Sequence, residues 1–434
     1  MSKQKIQLSD HFDYSRLIRF VLPCIGTMLF TSIYGIVDGL CVSNFVGKTA
    51  FAAVNLIMPV PMLVGTVGFM LGTGGSAIVG ITLGEGDNAK ADRYFSLFMS
   101  TALIAGIVLS VLGMLLLRPV AMMLGAEGEM LDYALRYGRV LMLSLPTFIL
   151  QNMFQSFFVT AEKAASGLLL HGGRGLHQHG AGRAAGGHPA LERGGCRHCH
   201  HAQPGVGGLL PVFYFLNRNN TSRIHLCRPR FEGKVLLNAC INGSSELMTN
   251  LSMSLVNILY NFQLLRLAGE NGVAAYGVIM YAAFLFVAVF VGYAVGSAPI
   301  VSFHYGARNH AEVHNLYRKS LRLIAVVAVT LTLASMFIIP CVARVFVGYD
   351  AELLALTSRA FRLYALSFLI MGFNVYASSF FTALGDGVTS ALISFLRTLA
   401  FQVIAILLLP LLLGIDGIWL AVTAAELAAL AVSA

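Results

Sequence analysis

An all-α polytopic membrane protein with a duplicated architecture is the fold class this sequence predicts. Three observations carry it. Of 434 residues, 57% are apolar and 11% charged, with a mean hydropathy of +0.76, which lies outside the range of soluble globular domains. Nearly uncharged runs of 18 or more residues recur from Phe20 almost to the C-terminus, the length a helix needs to cross a bilayer. The same block of sequence also occurs twice, about 222 residues apart. Ala52-Ala53-Val54-Asn55-Leu56-Ile57-Met58 answers to Ala274-Ala275-Tyr276-Gly277-Val278-Ile279-Met280, Gly75-Ser76-Ala77 to Gly296-Ser297-Ala298, and Ser156-Phe157-Phe158 to Ser379-Phe380-Phe381. Three matches in one order at one spacing indicate two related membrane modules, the arrangement with which transporters build halves that rock about a central site.

Taken in order, the apolar runs predict spans near 17–41, 52–82, 95–117, 131–160, 235–265, 272–303, 319–346, 360–383, 389–413 and 417–434. The interval 164–216 has room for two more, giving six per module. Lys and Arg cluster in the N-terminal segment (Lys3, Lys5, Arg16, Arg19), after the second span (Lys90, Arg93), in the mid-chain connector (Arg218, Arg223, Arg228, Arg230, Lys234) and around Arg308, Arg318, Lys319 and Arg322. The positive-inside rule puts both termini and the connector in the cytoplasm of a multi-pass protein in the cell (inner or plasma) membrane. An even number of spans per module then makes the repeat parallel, with lobes at 1–222 and 223–434. The net charge of +9 belongs to these loops; no basic stripe interleaved with aromatics suggests nucleic acid. Residues 1–16 lack the apolar core of a signal peptide, and seven scattered cysteines suggest no disulfide framework.

Residues 164–205 break the pattern. Seven of the twelve histidines fall here, with eleven glycines and four arginines. Cys196-Arg197-His198-Cys199-His200-His201 has the composition of a Zn²⁺ site, and an irregular loop is another reading. The favoured expectation is a local frameshift, because a shifted frame of a GC-rich gene is rich in Gly, Arg, His and Ala. Moving Gly175 to Ala184 by one nucleotide permits the apolar string A-C-T-N-M-V-L-D-A-L. Helices five and six are therefore expected to be disrupted in this chain.

Ionisable groups inside a bilayer cost roughly 2.5–3.5 kcal/mol at a helix centre and require a reason. Asp38 lies late in the first span with Tyr34 one turn before it. In the seventh span Asn238, Asn242, Glu246, Asn250, Ser254, Asn257 and Asn261 recur at steps of four, four, four, four, three and four. The recurrence predicts one polar face turned towards a partner helix or a wet cavity, since it cannot face lipid. Arg397, the main cation at depth in its span, is expected to snorkel or to bind backbone carbonyls. Neither a Walker A motif, a GxSxG elbow nor an HExxH motif occurs, so the chain is expected not to be an enzyme and to need no cofactor.

These segments resemble the multidrug and toxic compound extrusion (MATE) family, and within it the MepA-like branch. The resemblance rests on Ile33-Tyr34-Gly35-Ile36-Val37-Asp38-Gly39 through Ser43-Asn44-Phe45-Val46-Gly47-Lys48, on Ala53-Val54-Asn55-Leu56-Ile57-Met58-Pro59, on Gly72-Thr73-Gly74-Gly75-Ser76-Ala77, and on Ala298-Pro299-Ile300-Val301-Ser302-Phe303 leading to Tyr305-Gly306-Ala307-Arg308-Asn309. It implies a twelve-helix MATE-type fold of two six-helix lobes, and a monomeric secondary antiporter that exports cationic or amphiphilic drugs in exchange for H⁺ or Na⁺. The implied site residues are Asp38 with Tyr34 and Asn55 in the first lobe, and Glu246 with Asn242 and Asn250 in the second. The Asn and Asp that family members carry one turn apart on helix five have no counterpart as written, although the shifted frame permits N-M-V-L-D. A lipid-linked glycan flippase of the same superfamily and a non-functional frameshifted exporter are the alternative readings.

Overall fold

A computed structural model of the chain describes residues 6–45, 57, 59–123, 125–165, 208–217, 220–348 and 350–433, without the side chains of 34–45, 59, 129 and 345. The described residues are almost entirely helical. In chain order the helices are α1 (Tyr14–Phe45), α2 (Pro59–Gly84), α3 (Asn88–Met123), α4 (Gly128–Thr160), α5 (Gly233–Asn242), α6 (Ser244–Gly306), α7 (His310–Val347), α8 (Ala351–Ala365), α9 (Phe368–Ala383), α10 (Gly387–Phe395), α11 (Phe401–Leu413) and α12 (Ile415–Ser433). A π-helical turn over Leu396–Ala400 joins α10 to α11, and residues 208–216 form a short helix.

Eight helices among the described residues are long and apolar enough to cross a bilayer, or nine if α8 and α9, bent by 47° at their junction, make one span. The 63-residue α6 would be about 95 Å long if straight, three times a hydrocarbon core. It is instead broken at Gly269, whose φ of 60° and ψ of −151° suit a residue without a Cβ. Divided there, it supplies both the seventh and the eighth predicted spans. Each of the ten spans read from the sequence thus contains a helix. The outer faces are apolar, as lipid contact requires: Ile104, Val108, Val111 and Leu115 stand exposed along α3, and Val326, Val329, Leu333 and Phe337 along α7.

Within the first half, α3 and α4 pack on a phenylalanine cluster that the short helix over 208–216 completes. Phe215 stacks on Phe154 with ring centroids 5.7 Å apart and meets Phe95 at 5.0 Å and Phe158 at 5.5 Å. The aberrant segment, apart from Ala164 and Ala165, lies outside the described residues up to 207, and with it the frameshift reading and the Cys/His cluster.

The halves meet closely at one end. A Cβ on Gly84 would lie 2.0 Å from the Phe303 carbonyl oxygen, and one on Gly306 2.0 Å from that of Ile81. Backbones of α2 and α6 can approach this far only because both positions lack side chains. Two non-helical segments cross the same end. Residues ahead of α1 reach α7: the Phe12 N–H donates to Glu312 at 2.9 Å, His11 pairs with Glu312 at 2.6 Å, and Lys319 donates to the Phe12 carbonyl at 2.7 Å. Residues ahead of α5 reach α3: the His225 N–H donates to Asp92 at 2.8 Å and the Cys227 N–H to Ser96 at 2.9 Å. Arg223 binds Glu162 of the first half at 2.8 Å while its guanidinium lies 4.7 Å from the ring of Phe303 in the second. Each half is thereby strapped by the segment that leads into the other.

Candidate functional site

A cavity of about 250 Å³ opens within the second half, with Thr73, Ser76, Ala77 and Ser156 of the first half on its margin. The first limb of α6 supplies one wall. Glu246, Thr249, Met253, Val256, Asn257 and Tyr260 all line it, spaced by three, four, three, one and three residues, as one face of a helix demands. The second limb returns with Tyr276, Met280, Ala283, Phe284 and Val287. Tyr364 of α8, Met371 and Ser378 of α9, Arg397 of the π turn and Glu426 of α12 close it.

Polar groups and rings alternate in this wall in a specific way. Tyr260 and Tyr276 stack with ring centroids 4.9 Å apart and an interplanar angle of 12°. The Tyr276 hydroxyl donates to Asn257 Oδ1 at 2.6 Å, which holds the pair's polar edge against α6. Deeper, a hydroxyl ladder links α9 to α10: Ser378 meets Ser390 and Ser394 at 2.9 Å each, and Thr382 meets Ser390 at 2.7 Å. Such a ladder satisfies buried hydroxyls without introducing charge.

The charges are three. Glu426 is 1% exposed; its Oε2 accepts from Asn374 Nδ2 at 2.7 Å, and its Oε1 lies 3.6 Å from Arg397 Nη1. Asn374 is itself held, donating also to the Glu426 carbonyl at 2.8 Å and accepting from Ser433 at 3.0 Å. Arg397 is 8% exposed, and its Nε is buried without a hydrogen-bond partner. The expectation that Arg397 would snorkel or bind carbonyls is therefore corrected: it stays at depth and pairs with a carboxylate. Glu246 is half-buried at the cavity wall. Its carboxylate has no salt-bridge or hydrogen-bond partner among the described residues, although its backbone carbonyl accepts from Asn250 Nδ2 at 2.8 Å.

The expected site residues are distributed differently from the pattern that suggested them. Tyr34 and Asp38 lie on α1 with side chains outside the described residues, and Asn55 lies outside them altogether. Asn242 does not line the cavity; it is 2% exposed at the end of α5 and donates to the Thr382 carbonyl at 2.9 Å. Asn250 is half-buried beside the cavity wall, and Asn238, Ser254 and Asn261 are exposed. The cause is helical arithmetic. A step of four residues advances about 40° around a helix, so a stripe at fours winds off the face that carries Glu246. Asn257, reached by the single step of three, falls back within about 20° of it and does line the cavity. The break between α5 and α6 at Gly243 separates the two earlier asparagines as well.

Glu426 and Asn374 are the members that the sequence reading passed over. The signal for Glu426 was present, since it is an acid inside a predicted span; Asn374 carries none beyond its polarity.

Comparison with known proteins places this geometry. The MatE family model matches residues 23–172 and 247–408, most of the chain. Multidrug export protein MepA of Staphylococcus haemolyticus (strain JCSC1435) is 20% identical over 387 residues, covering 86% of this chain and 82% of the relative. The MepA of Staphylococcus aureus (strain MW2) is 22% identical over 432 residues, covering 96% and 92%. Among solved structures, a MATE in complex with MaL6 superposes with a TM-score of 0.89 at 21% identity, covering 100% of this chain and 97% of the other. A MOP superfamily transporter from Pyrococcus furiosus gives 0.87 at 21% identity, with the same two coverages. The structural likeness establishes a MATE-type fold of two helical lobes. With its apolar helices and the family match over both halves, the chain is a multi-pass membrane protein that belongs to the MatE family.

Proposed function

We propose that the protein is a secondary active efflux antiporter that exports cationic or amphiphilic drugs in exchange for H⁺ or Na⁺ by alternating access. The observation that carries this reading is the Glu246 carboxylate, without a partner among the described residues, in a cavity that also presents stacked tyrosines, Phe284 and methionines. A lipophilic cation is matched by that combination: rings and methionines take its apolar body without demanding one shape, and the carboxylate takes its charge. A proton or Na⁺ neutralises the same carboxylate. A site that cannot hold both ligands exchanges them, and differential affinity in its two orientations couples the fluxes. Family membership and the multidrug export role named for the MepA relatives support the same conclusion. Asp38, with Tyr34 and Asn55, is the proposed counterpart in the first lobe. Asn250, beside Glu246, and Asn242, at the helix junction, are proposed to support the second site by holding the local backbone and packing.

The lobes are proposed to divide at 222/223, with both termini and the strapped end in the cytoplasm, as the clustered Lys and Arg require. In that orientation the lobes are closed towards the cytoplasm. The glycan flippase fits less well, because a pyrophosphate needs several free cations. Arg397 is the only cation among the described cavity residues, and Glu426 pairs with it.

Replacing Asp38 or Glu246 by its amide should reduce coupled dye efflux by at least about tenfold, the consequence of losing a charge contact of about 1.4 kcal/mol or more. Unchanged drug resistance in both variants would refute the assignment. No efflux from the unaltered chain, correctly inserted, would favour the non-functional reading.

A further inference from the structure

Three charged groups share the cavity, and only two of them are matched. Glu426 holds Arg397 from one side at 3.6 Å, and Asn374 fixes the other oxygen of Glu426 at 2.7 Å. Glu246 lines the same cavity on the first limb of α6, and its carboxylate has no partner among the described residues. Arg397 has a donor to spare, since its Nε is buried and unbonded. It also sits on the π turn, where one extra residue shifts the side-chain register. Such turns recur at functional sites.

We infer that Glu426 and Asn374 are positioning residues which tether Arg397 and so keep Glu246 free for a cation. The inference rests on the reading of Glu246 as the cation site given above. Charge counting gives the reason. Two carboxylates and one guanidinium leave a net charge of −1, and the tether decides which acid carries it. A guanidinium released from Glu426 is a cation already inside the cavity at high effective concentration. Its natural partner there is Glu246, the one carboxylate of the cavity without a partner among the described residues. Arg397 is thus a built-in competitor of the substrate, and Glu426 keeps it away. Asn374 contributes by holding Glu426 to α9, with Ser433 locking the amide in that orientation.

The test is a cycle of variants read by binding of the lipophilic cation ethidium to the purified protein in detergent. The folded state of each variant is checked by its thermal transition. Glu426→Gln removes the tether and leaves no net charge, so ethidium binding weakens by at least about tenfold, a change of about 1.4 kcal/mol. Adding Arg397→Gln removes the competitor and restores the net charge of −1, so R397Q/E426Q binds within about threefold of the wild type. Arg397→Gln alone binds as well as the wild type or better, and this arm decides the matter if Glu426→Gln fails to fold. A merely structural pair gives the opposite pattern, with the double variant no better than E426Q and R397Q weaker than the wild type; either result overturns the inference. Glu246→Gln separates the inference from its premise. Wild-type binding by E246Q overturns the assignment of Glu246 itself, whereas loss in E246Q with wild-type binding by E426Q overturns the tether alone.

Discussion

Glu246 and Tyr276 illustrate how single residues set the chemistry of the cavity. The Tyr276 hydroxyl is committed to Asn257, which fixes both the stacked tyrosines and an amide about three turns along the helix from the acid on the same face. Tyr276→Phe keeps the ring stack and removes the donor. It should lower stability by about 0.5–1.5 kcal/mol, the net worth of one such bond. It should also loosen Asn257, weakening ethidium binding modestly while leaving ion coupling intact. Equilibrium denaturation and binding titrations measure the two effects. At this scale the sequence was informative about residue type and poor on direction. Asn242, Glu246, Asn250 and Asn257 are all polar residues in one apolar span, yet only Glu246 and Asn257 reach the cavity. The stripe at fours departs from the 3.6-residue period, and the break at Gly243 cuts it. Arg397 shows the same limit. Its unusual depth was evident, but its partner Glu426 lies 29 residues on, in the next span, and only helix packing brings them together.

Helices are positioned by what their contact faces lack as much as by what they carry. Gly84 and Gly306 let α2 and α6 touch backbone to backbone where the lobes close. Gly306→Ala forces a Cβ to within 2.0 Å of the Ile81 carbonyl oxygen and should cost about 1–3 kcal/mol through backbone displacement. Gly277→Ala, where a new Cβ meets nothing within 4 Å, should instead be neutral or stabilising by up to about 1 kcal/mol, because a helix-interior glycine carries excess chain entropy. Thermal unfolding of both variants in detergent makes the comparison. The spans themselves were readable because the bilayer imposes one length and one polarity on each. The division of the 63-residue α6 at Gly269 was readable for the same reason. The bend between α8 and α9 was not, since nothing in the apolar run 360–383 marks a break at Leu366 and Ser367.

At the scale of the whole molecule, two lobes meet tightly at one end and leave a cavity between helices further along. The straps add polar contacts to the apolar packing of α1 and α2 on α6 at the closed end. Glu312 gathers His11, Phe12 and Asn315, while Glu162 gathers Leu8 and Arg223. In the proposed alternating-access cycle, opening that end breaks these charge-assisted contacts together, as a discrete transition requires. The fold follows from the duplication legible in the sequence and from the apolar pattern, and the family from the match over both halves. The proposed transport cycle rests on the acids, and its most direct test is counterflow in proteoliposomes holding the purified protein. An ethidium gradient imposed across the membrane should drive opposite movement of H⁺ or Na⁺ through the wild-type chain and drive none through E246Q. Ethidium flux that is unchanged when both ion gradients are collapsed, and that persists in E246Q, would contradict exchange at a single carboxylate.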